Sequence, residues 1–259
     1  MGIVNLTPDS FSDGGHFEQL DQAVGRAVQL IDEGADLIDV GAESTRPGAV
    51  TVPDTEEAAR LLPFLSALRD ARVPVSVDTR KPAVMRRVLD AGASMINDVA
   101  GFASVDARVA VAGSDCAVCA MHMQGEPATM QRDPAYGDVV AEVATFLRQR
   151  ADALFGAGVA RDRVVLDPGF GFGKGFDHNL ALLRRLDTIV DLGFPVLVGL
   201  SRKGMIGTIT GKPVAERLVG SVAAALVAVE SGASIVRVHD VAATVDALRV
   251  WSAVRHDPA

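Results

Sequence analysis

Short runs of apolar residues alternate along the chain with longer segments that are apolar on one side only. The short runs are rich in valine and isoleucine and are apolar on both faces, which is typical of parallel strands covered by helices. They predict eight β-strands, at residues 2–6, 37–40, 73–77, 94–97, 117–121, 164–166, 196–200 and 235–238.

The longer segments have the spacing of amphipathic helices. They predict helices at residues 21–33, 55–70, 82–91, 106–112, 139–155, 179–191, 214–231 and 241–254. Alternating strands and helices form βα units with right-handed crossovers. Eight units in 259 residues favour an α/β fold of the closed (β/α)8 type, the TIM barrel, as one domain over residues 1–259. An open, doubly wound sheet is the alternative, because periodicity does not establish closure.

The composition limits the classes of function. Hydrophobic residues make up 49% of the chain, and 33 acidic against 25 basic side chains give a net charge of −8. We therefore expect no nucleic-acid or membrane partner, because both attract a positive protein surface. The uncharged segment 218–229 is too short to span a bilayer, and no secretory signal is visible, so we expect a cytoplasmic protein. Cys116 and Cys119 are predicted core residues without a disulfide or metal role.

Polar residues follow the predicted strands at their C-terminal ends, where a packed core would not place them. They are Asn5, Glu43 to Arg46, Asp78, Asn97, Asp98, His122, Asp167, Ser201 to Lys203, Arg237 and His239. Any one of them has a structural explanation, as a helix cap or a turn residue. In a barrel, however, these strand ends meet at one mouth, where active sites are built. The set as a whole therefore indicates a functional site.

The chemistry of this set divides in two. Acceptors and an amide, suited to a flat heterocycle with several N–H groups, come from Asp78, Asn97 and Asp167. Cationic donors, suited to a polyanion such as diphosphate, come from Arg46, Lys203, Arg237 and His239. Asn5 is either an oxygen ligand for Mg²⁺ beside such an anion or a buried residue that holds the barrel rim.

Two other segments have to be weighed. The glycine-rich segment 169–175 is not a P-loop, because no serine or threonine follows Lys174 and Pro168 replaces the first glycine. Phe11 lies in a loop of polar and glycine residues, where an aromatic side chain serves better as a lid than as core.

Five segments together resemble the dihydropteroate synthases, a family that joins 4-aminobenzoate to a dihydropterin diphosphate. They are residues 5–15, 43–48, 167–174, 201–203 and 237–239, and the resemblance extends from residue 2 to about residue 250. Ala42 stands where the family commonly has a second glycine, and the chain begins at the first barrel strand, where relatives carry several further residues. If those residues normally plug the barrel floor, we expect a less stable protein with an unaffected site.

The resemblance implies a role for each site residue. The pterin pocket would use Asp78, Asn97, Met121, Asp167, Phe172, Lys203 and Arg237. The diphosphate would contact Thr45, Arg46, Arg237 and His239, with Asn5 binding Mg²⁺. The 4-aminobenzoate, or a sulfonamide that mimics it, would contact Phe11, Arg46, Pro47, Ser201 and Lys203. Catalysis would depend on Asp78, Lys203 and Arg237.

The implied reaction is a substitution at the pterin methylene with diphosphate as the leaving group. The family is usually dimeric, and the apolar segment 218–229 is the candidate subunit contact. Two alternatives remain, a pterin-binding methyltransferase domain and a catalytically silent pterin-binding homologue. Neither would need both the first-loop motif and the full set of anion-binding residues, which are present here.

Overall fold

A ring of parallel strands forms the centre of the protein. The structure is a computed structural model that describes residues 1–6, 16–44 and 51–255. The strands are β1 Gly2–Asn5, β2 Ile38–Gly41, β3 Val75–Asp78, β4 Met95–Asp98, β5 Ala117–Met121, β6 Val164–Asp167, β7 Leu197–Val198 and β8 Ile235–Val236. Strands β1 to β6 form one parallel sheet in chain order, and β7 pairs with β8. Parallel bridges Leu166↔Val196 and Gly2↔Val238 connect these two sheets on both sides.

The predicted α/β barrel is therefore confirmed. That residues 1–259 form a single domain stays a prediction.

Helices cover the outside of the ring. They are α1 His16–Asp32, α2 Asp54–Ala67, α3 Pro82–Asp90, α4 Val105–Ala112, α5 Val139–Gly156, α6 Phe176–Arg184, α7 Asp187–Val190, α8 Gly204–Thr210, α9 Leu218–Glu230 and α10 Val241–Arg255. None of the helices in the described ranges is long and apolar enough to cross a bilayer.

Two predicted helices are divided in the structure, one helix was missed, and α1 begins five residues earlier than predicted. The helix predicted at 179–191 is two helices, α6 and α7, and the helix predicted at 214–231 starts as a separate 3₁₀ turn before α9. Helix α8 was missed, because its glycines and β-branched residues have low helix propensity. Packing, rather than propensity, determines the conformation of this segment.

The core has two parts. A large cluster lies between strands and helices, and a small cluster inside the barrel contains Met1, Met95, Cys119, Val165 and Leu197. Cys116 and Cys119 are buried free thiols, as predicted. The inner cluster forms the floor of the barrel below its C-terminal mouth.

Candidate active site

Strand periodicity carries the polar residues to the mouth of the barrel. Met95, Cys119 and Val165 belong to the inner cluster. Side chains two residues further along a strand point the same way, so Asn97, Met121 and Asp167 face the interior one layer higher. The strand register then sets Met121 beside Asp167 and Asn97 beside Asp78.

One row of residues crosses four neighbouring strands at this level. Asn5 is paired with Gly41, Gly41 with Asp78, and Asp78 with Asn97. Gly41 adjoins Asp78 closely, since a Cβ at position 41 would be in van der Waals contact with the Cβ of Asp78 at 3.5 Å. Residues far apart in sequence thus form one wall of a cup.

Two carboxylates hold the Arg237 guanidinium in the middle of this cup. Arg237 Nε donates to Asp39 Oδ2 at 2.6 Å, and Nη2 donates to Asp78 Oδ2 at 3.2 Å. The Ser76 hydroxyl donates to the other oxygen of Asp39 at 2.6 Å. The pKa of Arg237 is raised by Asp39 and then Asp78, against its burial.

Asp39 was missed by the sequence reasoning. It lies fully buried in β2, inside a run that was treated as apolar. A single carboxylate within a buried strand was the signal that could have found it, since such a charge requires a partner.

The Asp78 carboxyl is a weaker acid than usual. Burial raises its pKa to about 7, Arg237 opposes the shift, and the carboxylates of Asp39, Asp98 and Glu57 add to it. Ionisation of the Asp78 carboxyl is therefore energetically unfavourable, and an incoming ligand can readily change its protonation state.

Asn97 carries an unpaired acceptor. Its side chain is 4% exposed, and its Oδ1 atom has no hydrogen-bond partner among the described residues. An unpaired buried amide oxygen is unfavourable, and a ligand N–H group would remove that cost.

The opposite wall consists of Asp167, Phe172 and Lys203. Asp167 is buried, which raises its pKa, and its Oδ1 accepts from the Gly169 backbone N–H at 2.7 Å. The Lys203 ammonium donates to the Phe170 carbonyl and lies 4.4 Å from the centre of the half-buried Phe172 ring. Burial lowers the pKa of Lys203 to about 8, and the Asp167 carboxylate opposes that shift.

In the segment after β7, the side chains of Ser201 and Arg202 have different partners, and the backbone at Arg202 is strained. Arg202 has a left-handed φ of 59°, and its guanidinium binds Asp240 at 3.0 and 2.5 Å. Next to it, Ser201 Oγ accepts from the His239 backbone N–H at 3.2 Å and lies 3.0 Å from His239 Nδ1. Strain of this kind is common at binding sites, and here Arg202 forms a structural pair while Ser201 contacts His239.

A charge cluster holds both ends of the segment that leaves β2. Glu43 Oε2 accepts from the Val52 backbone N–H at 2.8 Å. Lys81 Nζ lies 2.6 Å from Glu43 and 2.6 Å from the buried Glu57. The pKa of Glu43 is lowered by its hydrogen bonds to Lys81 and Val52, although burial acts in the opposite direction.

The structure brings most of the predicted site residues to one mouth. They are Asn5, Asp78, Asn97, Met121, Asp167, Phe172, Ser201, Lys203, Arg237 and His239. Four others, Phe11, Thr45, Arg46 and Pro47, lie outside the described residues.

Barrel and cup together define a class of protein: an α/β-barrel enzyme with a pocket for a flat polar heterocycle and cations beside it. Comparison with known proteins agrees. The model of the family described as "Pterin binding enzyme" matches residues 1–239. A dihydropteroate synthase of Neisseria meningitidis serogroup B is 52% identical over 261 residues, which covers 98% of this chain and 92% of that protein.

Solved structures are similarly close. A Xanthomonas albilineans dihydropteroate synthase with 4-aminobenzoic acid has a TM-score of 0.94 at 51% identity, covering 100% of this chain and 93% of its own. A Burkholderia cenocepacia dihydropteroate synthase complexed with 7,8-dihydropteroate has a TM-score of 0.90 at 55% identity, with coverage of 98% and 90%. The chain belongs to the dihydropteroate synthase family of pterin-binding enzymes.

Proposed function

We propose that this protein is a transferase that joins 4-aminobenzoate to (7,8-dihydropterin-6-yl)methyl diphosphate. The products are 7,8-dihydropteroate and diphosphate. The observation that carries the proposal is the convergence of buried acceptors and cations at one barrel mouth, with the Asn97 amide oxygen still unpaired. The ligands in the Xanthomonas and Burkholderia structures, 4-aminobenzoic acid and 7,8-dihydropteroate, support the same reaction.

The pterin ring binds between the two walls of the cup. Asn97 Oδ1 and the carboxyls of Asp78 and Asp167 accept from its N–H groups, because these oxygens are buried and face the interior. Met121 and Phe172 contact the faces of the ring. Lys203 supplies a donor for the ring's carbonyl or nitrogen acceptors.

Two residues that follow strand β8, Arg237 and His239, bind the leaving group. Arg237 lies beside Asp78, and His239 is held by Ser201, so both lie next to the pterin pocket. Thr45 and Arg46 complete this set in the proposal. Neutralising charge that develops on the diphosphate lowers the barrier to its departure.

The reaction is a substitution at carbon. The bond between the methylene carbon and the diphosphate oxygen breaks, and the leaving oxygen keeps the electron pair. The arylamine nitrogen then forms a bond to the methylene carbon and releases a proton. Asp78 stabilises the positive charge that spreads over the methylene and the ring, so no protein nucleophile is needed.

The second substrate binds at the outer side of the pterin. Ser201 and Lys203 lie on the rim, where a hydroxyl and an ammonium can hold a benzoate group. Phe11, Arg46 and Pro47 complete this subsite in the proposal. A sulfonamide has the same arylamine and a similar anionic end, so it competes for this position.

The donor set fits Mg²⁺ that arrives with the substrate. Among the described residues, no group of three carboxylate, histidine or cysteine side chains could hold a metal alone. Mg²⁺ typically takes few protein ligands and shares phosphate oxygens, and Asn5 offers one amide oxygen at the end of β1. When bound, the ion neutralises charge on the diphosphate.

We also propose a homodimer located in the cytoplasm. The buried free thiols of Cys116 and Cys119 suit a reducing compartment. Exposed valines at positions 219, 227, 250 and 254 on the adjacent helices α9 and α10 suit a contact with a second copy.

The test is release of diphosphate by the purified protein with Mg²⁺ and both substrates. Release should require 4-aminobenzoate, and dihydropteroate should appear in equal amount. Lys203→Met should lower kcat/KM by about a hundredfold, since it removes a half-buried charged donor. Lys212→Met is the matched control, because Lys212 is an exposed lysine whose ion pair is with Glu216 on the surface.

Diphosphate release no faster than without protein would contradict the proposal. If the dihydropterin still bound, the silent homologue would be the better description. Methyl transfer to a corrinoid protein would favour the methyltransferase alternative.

A further inference from the structure

The segment after β6 is held by side chains along its whole length. Every carbonyl oxygen from residue 169 to residue 175 accepts a hydrogen bond from a side chain. The donors, in order of the carbonyls, are Lys174, Lys203, Gln131, Lys174 again, Tyr136 and, for the last two, Asn179. Only the Gly169 and Gly175 carbonyls are also seen to accept a backbone N–H group among the described residues, from Phe172 and Asn179, so side chains supply most of the hydrogen bonds to these oxygens.

Lys174 is the centre of this arrangement. It is 2% exposed, and its ammonium lies 2.8 Å from His122 Nδ1, 2.9 Å from the Gly169 carbonyl and 3.0 Å from the Phe172 carbonyl. The His122 carbonyl lies slightly further away at 3.3 Å, so four acceptors surround the three donors of the ammonium group. Burial lowers the pKa of His122 to about 3, with Lys174 adding to the shift, so the imidazole is neutral and can accept.

Burying a lysine side chain has a large desolvation cost. Burial lowers the pKa of Lys174 to about 7, opposed by Asp167 and assisted by Lys203. An apolar side chain of similar length would fill the same volume without that desolvation cost. The ammonium is therefore retained for the groups it holds rather than for packing.

Those groups lead directly to the pocket. The Gly169 carbonyl binds Lys174, and the N–H of the same residue binds the Asp167 carboxylate at 2.7 Å. The Phe172 carbonyl binds Lys174, and the Phe172 ring lies under the Lys203 ammonium at 4.4 Å. Lys174 thus binds the backbone groups that adjoin three predicted pterin contacts, Asp167, Phe172 and Lys203.

We propose that Lys174 is a positioning residue for the pterin substrate, which fixes Asp167, Phe172 and Lys203 through the backbone of the segment 169–173. This inference rests on the proposed function, but it concerns binding of the heterocycle rather than the chemical step. Lys174 itself does not contact the substrate.

Lys174→Met tests the proposal, with Lys212→Met as the matched control at an exposed lysine. Two quantities are measured: steady-state kinetics with dihydropterin diphosphate, and calorimetric binding of the dihydropterin that lacks the diphosphate. Lys174→Met should raise KM and the heterocycle Kd by about tenfold or more, with kcat within about threefold of wild type. Lys212→Met should leave all three unchanged.

A purely structural role has a different signature. Partial unfolding lowers the fraction of active enzyme, so kcat would fall while KM and Kd stayed constant, and that result would overturn the proposal. Should Lys174→Met not fold, Lys174→Gln, which keeps an amide donor, is measured instead. Failure of both variants to fold would also overturn it.

The binding arm separates this inference from the proposed function. Wild-type protein that binds the dihydropterin but forms no dihydropteroate would contradict the proposed reaction only. Unchanged dihydropterin affinity in Lys174→Met would contradict the positioning role only.

Discussion

The pair of carboxylates on Arg237 sets the charge balance of the cup. Asp39 is fully buried and accepts hydrogen bonds from both Arg237 and Ser76. Asp78 lies at the longer distance of 3.2 Å from Arg237, and burial raises its pKa to about 7. Two nearby carboxylates with different environments can have different tasks. Here Asp39 orients the guanidinium, and Asp78 faces the reacting carbon in the proposed reaction.

Asp78→Asn tests that division. The amide keeps the shape of the carboxylate but not its charge, so kcat should fall by about a hundredfold while KM for dihydropterin diphosphate changes by less than about fivefold.

The same substitution should raise the free energy of unfolding at alkaline pH. The pKa of Asp78 is raised on folding, so its ionisation costs stability as pH rises towards about 7. The wild-type protein therefore loses stability between about pH 4 and about pH 7, so the stabilising effect of Asp78→Asn should be larger at about pH 8 than at about pH 5 by on the order of 1 kcal/mol.

Steady-state kinetics and urea unfolding at the two pH values measure these effects. Asp246→Asn is the matched control, since Asp246 is exposed and paired only with Arg249 on the surface. Equal losses in kcat and in pterin affinity would contradict the role of Asp78.

Residue-scale prediction from the sequence succeeded where a polar side chain ended an apolar run. Asp78, Asn97 and Asp167 were found in this way, and the structure brings them to one mouth. Asp39 was missed because the run continued past it, and its partner Arg237 is 198 positions away. No local pattern specifies such a pairing.

At the scale of elements, the loop after β6 packs closely against the backbone that follows β5, at Gly169 and His122. Gly169 has a φ of 67°, and a Cβ at that position would lie 1.9 Å from the His122 carbonyl oxygen. Neither the conformation nor the space permits another residue. The loop is therefore a rigid part of the cup wall.

Gly169→Ala should lower the free energy of unfolding by about 3 kcal/mol or more, because strain and a backbone clash add. Gly158→Ala is the matched control. Gly158 has a φ of 95°, but a Cβ there would meet nothing within 4 Å. Only the conformational cost of about 1 kcal/mol applies to it. Urea unfolding of both variants gives the comparison, and equal losses would contradict the close-approach explanation.

Element boundaries were predictable to the extent that packing followed the local pattern. Strand β5 was predicted at its observed residues, while β3, β4 and β6 each extend one residue further, onto an aspartate. Hydrogen bonds of the ladder continue onto these aspartates, whereas the apolar pattern stops before them. Loop conformations such as that of 169–175 depend on distant donors and could not be predicted from sequence.

At the scale of the whole molecule, the most exposed valines lie on the last two helices. Val219 on α9 is 77% exposed and Val254 on α10 is 79% exposed, and α9 packs against α10. Exposed apolar side chains on neighbouring helices are often covered by a partner, and the proposed homodimer would cover them.

Val219→Lys should convert the dimer to a monomer, because a charge in the centre of an apolar contact is costly. Light scattering on a size-exclusion column measures the mass of wild type and variant. Val109→Lys on α4, where the valine is 58% exposed, is the matched control and should stay dimeric. A monomeric wild type, or a dimeric Val219→Lys protein, would contradict the proposed contact.

The ion pairs of Arg237 span most of the chain, 198 residues from Asp39 and 159 from Asp78. During synthesis, a ribosome delivers both acids long before the cation that balances them. Until residue 237 reaches the barrel, neither acid has this cation as its partner. The heterocycle pocket therefore acquires its central ion pairs in the same event that brings Val238 beside Gly2 and joins the first strand to the last.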